Sequence, residues 1–275
     1  MPWRASLRVG ATKGLRAMRD QAAAGACLWV IAVVVLIVYS FNAAFARLFG
    51  RAGNVNEAAP RIFAFATFAL CGGALPGLLL LAQKQAAKPA KPSVGDAAST
   101  NRCAACVDLV FNSFVFGVFG LWVGAFYGLQ AQWFGAGRDA GTLLIKVLVD
   151  EFVATPVLHV PYLQLLFKFR NWRFPNPLKF ARLLRDEGSI TSQGLLSEWW
   201  FPALFPTWLV WCPCLLVIYS LPQALQLPMN IIVTTFWGLL MQLSGENKPP
   251  AEPDAPDRHR QRSLDNLLEL APTFT

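Results

Sequence analysis

Along the 275-residue chain, apolar residues gather into long runs separated by short polar and basic segments. Runs of roughly 20 apolar residues suit an α-helix crossing a hydrocarbon core of about 30 Å at 1.5 Å per residue. The pattern predicts a first span over 24–46, a second over 61–83, a third over 105–133 and a fourth over 141–166. In the second, Gly72 and Gly73 allow close helix approach, and Pro76 is placed to kink it. A further apolar region covers 199–243. Its first half contains Pro202, Pro206, Pro213 and Pro222, so a regular helix is not expected there. The stretch 199–222 either spans as a broken helix or re-enters, and 224–243 reads as a better spanning helix.

The polar segments complete the plan. Residues 1–22 carry Arg4, Arg8, Lys13, Arg16 and Arg19 with Trp3, Leu7, Leu15 and Met18 between them. This reads as an organelle-targeting sequence, an interfacial helix or the basic flank of the first span. Residues 84–102 form a Pro-, Gly- and Lys-containing loop, and 135–141 a tight polar connection. Within the basic stretch 167–198, the residues after Pro177 predict a short amphipathic surface helix. The tail 245–275, rich in Pro, Asp and Arg, is expected to be flexible, with Leu264, Leu267, Leu268 and Leu270 offering one amphipathic turn. The N-terminus, 84–102 and 167–198 are the most basic segments and lie two spans apart, which puts them on one side of the membrane.

Composition sharpens this reading. Hydrophobic residues make up 55% and charged residues 15%, and mean hydropathy is +0.42. A soluble domain carries about a quarter charged residues, so a soluble enzyme is not supported. The net charge of +8 sits in short inter-span segments, which argues for membrane topology and against nucleic acid as partner.

Candidate chemistry is sparse. Lys146 and Asp150 share a helical face at i, i+4 inside a predicted span, where ionisable groups are costly. They read as a polar lining of a solute path or as a buried ion pair that anchors packed helices. Glu151 points about 100° away, toward another helix, Arg47, Arg138 or a partner. His159 lines a path or makes a helix contact, whereas His259 sits in the basic tail. Cys103 and Cys106 with Cys212 and Cys214 make a zinc or redox site only if both pairs converge, and otherwise pack as small apolar residues. Trp208 and Trp211 read as interface anchors. No nucleotide loop, nucleophile elbow or metal-helix motif is found, so no cofactor and no metal are expected.

Read in order, several positions form a pattern: Gly120 and Tyr127; Lys146, Asp150, Glu151 and Pro156; Trp208 and Trp211; Pro222, Gln226 and Trp237; upstream, Pro60 and Thr67. This order and spacing over about 60–244 resembles the Mpv-seventeen/peroxisomal membrane protein family. Glu151 stands where the family has Gln, Gln226 where it has Arg, Pro213 is displaced by one, and Leu75-Pro76 replaces Gly-Asp. The resemblance implies an all-α membrane bundle of five or six membrane-embedded segments, including one N-terminal helix beyond the family core. Its parts are a basic segment 1–22, an added helix and loop 23–59, a family-like domain 60–244 and the tail 245–275. It implies a non-enzymatic protein of an organelle membrane: the mitochondrial inner membrane, with peroxisomal and plastid membranes as alternatives. The expected function is an accessory or structural subunit of a larger membrane complex, in contact with membrane lipids. The alternative is a small-solute pore lined by Lys146 and Asp150, with contributions from His159, Tyr127 and Gln226.

Overall fold

The structure is a computed structural model that describes residues 2–86, 97–186 and 200–246. Among them every regular element is helical. Helix α1 (Pro2–Phe41) is a single rod of 40 residues, about 60 Å long. The basic segment and the first apolar run are therefore one helix. That helix stops short of the expected residue 46, because Asn42 takes an extended conformation and its side chain accepts the Phe45 N–H at 2.9 Å. This cap starts α2 (Ala43–Ala58).

The second expected span is α3 (Pro60–Thr67), a π-helical segment π1 (Phe68–Ala74) and α4 (Leu75–Ala86), in unbroken succession. Helix α5 (Ala97–Phe134) follows. The fourth expected span is again composite: α6 (Ala140–Val149), π2 (Asp150–His159) and α7 (Val160–Asn171). Each π segment ends two residues before a proline, Pro76 or Pro161. A proline ring crowds the carbonyl four residues back, and the wider i→i+5 turn gives it room. Pro76 is thus absorbed within a continuous helical path.

After α8 (Pro177–Asp186) come α9 (Phe201–Ser220) and α10 (Gln223–Glu246). Over 201–220 the proline-rich stretch is not broken: α9 is one helix of 20 residues. Pro202 sits at its start, where no amide donor is needed. The Trp29 indole of α1 donates to the Val210 carbonyl at 3.1 Å and ties the two helices together. Pro222 lies in the turn between α9 and α10.

Four stretches are long and apolar enough to cross a membrane: Ser6–Phe41, Pro60–Leu79, Ala104–Phe134 and Phe201–Ser220. Their outward faces stay apolar, with Val30 62%, Ile62 73%, Leu70 61% and Val110 69% exposed. Such continuous apolar surface is suited to lipid.

Helix α1 lies along α9, π1 and α3 pack on α5, and α10 packs on α2 and π1. Leu28 and Ala32 of α1 meet Val210, Cys214 and Ile218 of α9 in the core. The π1–α5 contact is close because it is built on glycine. A Cβ at Gly73 would lie 2.5 Å from the Ser113 Cα, and one at Gly120 would lie 2.6 Å from the Ala64 carbonyl oxygen.

At the far end, α7 closes with Arg173 and Phe174 in the left-handed region, at φ 58° and 56°. This turn sets the Phe174 ring against Phe111 at 5.0 Å and leads into α8. Helix α8 is the amphipathic segment expected after Pro177: Leu184 is buried while Lys179 and Arg182 face outward. Most of the tail, from 247 on, lies outside the described residues, as does the amphipathic turn expected there.

Candidate functional site

The interior holds a set of polar side chains contributed by α5, α6, π2 and α10. Gln130, Lys146, Asp150, Glu151, Thr155, Gln226, Asn230 and Thr234 are all buried. Ionisable groups at such depth need partners or water, so each contact is informative.

Lys146 and Asp150 do not form the expected ion pair. Asp150 instead accepts the Tyr219 hydroxyl at 2.5 Å. The Lys146 ammonium lies over the Tyr219 ring, 6.0 Å from its centroid. The Tyr219 hydroxyl of α9 is thus what holds Asp150, while the ammonium meets the face of the same ring.

Glu151 turns into the interior rather than toward Arg47 or Arg138. It is 2% exposed, and its Oε2 has no hydrogen-bond partner. Its backbone carbonyl accepts the Trp208 indole N–H at 2.8 Å. Trp208 is thus a cross-helix clamp in addition to any interfacial role, and it packs on Phe152 with ring centroids 4.9 Å apart.

Asp150 and Glu151 line a chamber of about 200 Å³ between α5, π2–α7, α9 and α10. Thr155, Thr207, Asn230 and Thr234 join them in the lining. Asn230 donates to the Tyr127 hydroxyl at 2.6 Å, and its carbonyl accepts the Thr234 hydroxyl at 3.0 Å. Toward α7 the lining becomes aromatic, with Phe116, Phe167 and Trp237. A larger open cleft of about 1060 Å³ lies beside it, lined in part by Asn56, Glu57, Arg61 and Gln132. Phe126, Tyr127 and His159 line both spaces and stand at their junction. His159 contacts Thr155 Oγ1 through Nδ1 at 3.4 Å and meets Phe119 edge-on at 5.2 Å.

The other sequence candidates fall around this site. Trp211 and Trp237 line the chamber. Pro156 lies inside π2. Gln226 is buried beside the turn, with its side chain donating to the Leu221 carbonyl at 3.3 Å, so it is outside the chamber lining. Gly120 serves the α3–α5 contact described above. Among the described side chains, Cys106 does not join Cys212 and Cys214. Cys106 lines an outer apolar groove with Phe174, whereas Cys214 is buried in the core, and the Cys103 side chain lies outside the described residues. Among the described residues no group of three or more metal-ligating side chains is found.

Gln130, Asn230, Thr234 and Thr207 are additions that the sequence reading did not single out. The signal was present on α10: Gln226, Asn230 and Thr234 repeat every four residues in an apolar run, which puts them on one helical face. Gln130 is 0% exposed. The arrangement can accept a small polar or charged group from the cleft side and hold it between carboxylate and aromatic walls. No protein-family model matches this chain, and comparison with curated proteins and with solved structures finds no match either.

Proposed function

We propose that this chain is a membrane-embedded solute pathway, entered from the cleft side and narrowed by aromatic side chains toward the α7 end. The observation that carries the reading is the polar chamber inside the bundle, joined to the cleft at Tyr127 and His159. A bundle that serves only as scaffold has no use for a buried carboxylate without a partner. The residues that line the chamber include Tyr127, Trp211 and Trp237, positions that carry the Mpv-seventeen resemblance, and that resemblance implies small-solute passage. With 140–171 and 223–246 counted as crossings beside the four apolar stretches, the chain crosses six times, and four of those crossings line the chamber. The basic N-terminus, 84–102 and 167–198 then share the matrix or cytoplasmic side. The basic, nearly acid-free N-terminal segment favours the mitochondrial inner membrane.

The test is flux. Purified protein in sealed vesicles should release small charged and neutral solutes faster than protein-free vesicles. No release of any of them, from vesicles shown to contain folded protein, ends this reading.

One observation favours a second reading, an accessory subunit. Helix α1 adds an apolar stripe that includes Val30, Val34 and Ile37, all exposed, beyond the family-like region. Mild detergent extraction separates the two. Stoichiometric migration within a large complex supports the subunit, and migration as a small particle supports the pathway.

A further inference from the structure

We propose that the chamber is a binding site for a small organic cation, an ammonium carried on an apolar body. This deepens the solute-pathway reading and rests on it for the route from the membrane face.

The anchor is Glu151. Its neighbour Asp150 is already engaged by Tyr219 at 2.5 Å. The amide of Asn230 is likewise committed, to Tyr127 and Thr234. Glu151 alone among these lining groups presents a buried oxygen, Oε2, with no partner. The nearby cation of the chain does not answer it: Lys146 is not part of the lining and lies over the Tyr219 ring.

The remaining walls select the class of ligand. An anion would meet two carboxylates at close range. A bare metal ion needs several donors closed around it, and no group of three or more His, Cys, Asp or Glu side chains that could hold one is found among the described residues. Trp211, Trp237 and Phe119 line the same space, and the faces of such rings attract ammonium groups while their edges pack against hydrocarbon. A volume of about 200 Å³ matches the bulk share of about six or seven waters, room for one compact organic molecule. The geometry therefore joins one free carboxylate oxygen to an aromatic enclosure of small-molecule size.

The experiment is equilibrium binding by the full-length protein in lipid nanodiscs, read as thermal unfolding. The probes are phenethylammonium and its neutral isostere, phenethyl alcohol. Expected is a saturable rise in Tm of about 3 °C with the amine at ten times its half-saturating concentration. The alcohol should bind at least about tenfold more weakly, and Glu151→Gln should lose the preference for the amine. Equal shifts from both probes overturn the proposal, as does an amine shift that does not saturate. So does a Glu151→Gln protein that keeps the preference. If that variant fails to fold, the amine-against-alcohol comparison on the unaltered protein decides alone. Amine binding without flux leaves this site standing and removes the pathway. Flux without amine preference does the reverse.

Discussion

The Trp208 indole N–H donates to the Glu151 carbonyl at 2.8 Å, and Pro156 is the residue that leaves that carbonyl free. In the i→i+5 pattern of π2, the partner of the Glu151 carbonyl is the amide of residue 156, and proline has none. A tryptophan 52 positions downstream thus replaces a missing backbone donor. Trp208→Phe should destabilise the protein by about 1–2 kcal/mol, the cost of an unpaired buried carbonyl. Pro156→Ala restores the amide, so the double variant should lose less than the sum of the two single changes. Thermal unfolding of all four proteins measures this, and strict additivity would disconnect the two residues.

The Asp150 carboxylate is held by a phenol. Tyr219→Phe removes its donor and should cost about 2 kcal/mol, the range of hydrogen bonds to charged groups. Lys146→Met should cost much less, because the ammonium does not engage Asp150. A loss from Lys146→Met as large as that from Tyr219→Phe would restore the ion-pair interpretation.

Close packing of π1 on α5 makes Gly73 intolerant of a methyl group. Gly73→Ala would place its Cβ 2.5 Å from the Ser113 Cα, which is backbone and cannot rotate away. A loss of about 1–3 kcal/mol is expected. Gly128, with nothing within 4 Å of an added Cβ, is the control: Gly128→Ala should be neutral or raise stability by a few tenths to about 1 kcal/mol. Equal effects at the two sites would contradict the packing described above.

Asp139, at the water-exposed start of α6, gives a pH-dependent test. The Thr142 hydroxyl and backbone N–H, donating at 2.6 and 3.0 Å, hold its carboxyl below the ordinary value of 3.8. A depressed folded-state value means that the stabilisation is present above the unfolded value and is lost as pH falls through the folded one. Asp139→Ala should therefore lower Tm at neutral pH, and the gap to the parent should close in acid below the usual carboxylate range. A gap that persists unchanged in acid would show that the charged cap is not what matters.

Much of the architecture is legible in the chain itself. The positions of the apolar runs, the tight connection at 135–141 and the amphipathic helix after Pro177 all follow from local composition and spacing. These features depend on neighbours within a turn or two, which a sequence displays directly. The prolines of 199–222 predict a broken segment, yet α9 runs past Pro206 and Pro213 as one helix packed along α1. In π2 a wider turn and Trp208 accommodate Pro156.

From composition and spacing alone the chain reads as a set of long apolar helices carrying a few ionisable residues at depth, Lys146, Asp150 and Glu151 among them. Packing between helices selects the groups they meet. Asp150 accepts from Tyr219 of α9, Lys146 lies over the ring of the same Tyr219, and Glu151 faces an aromatic chamber. Helical spacing fixes only which face a side chain leaves from. Its length, its lean along the helix and the groups presented by helices 57 to 103 residues away, as in the Trp208–Glu151 and Asn230–Tyr127 bonds, fix where it ends.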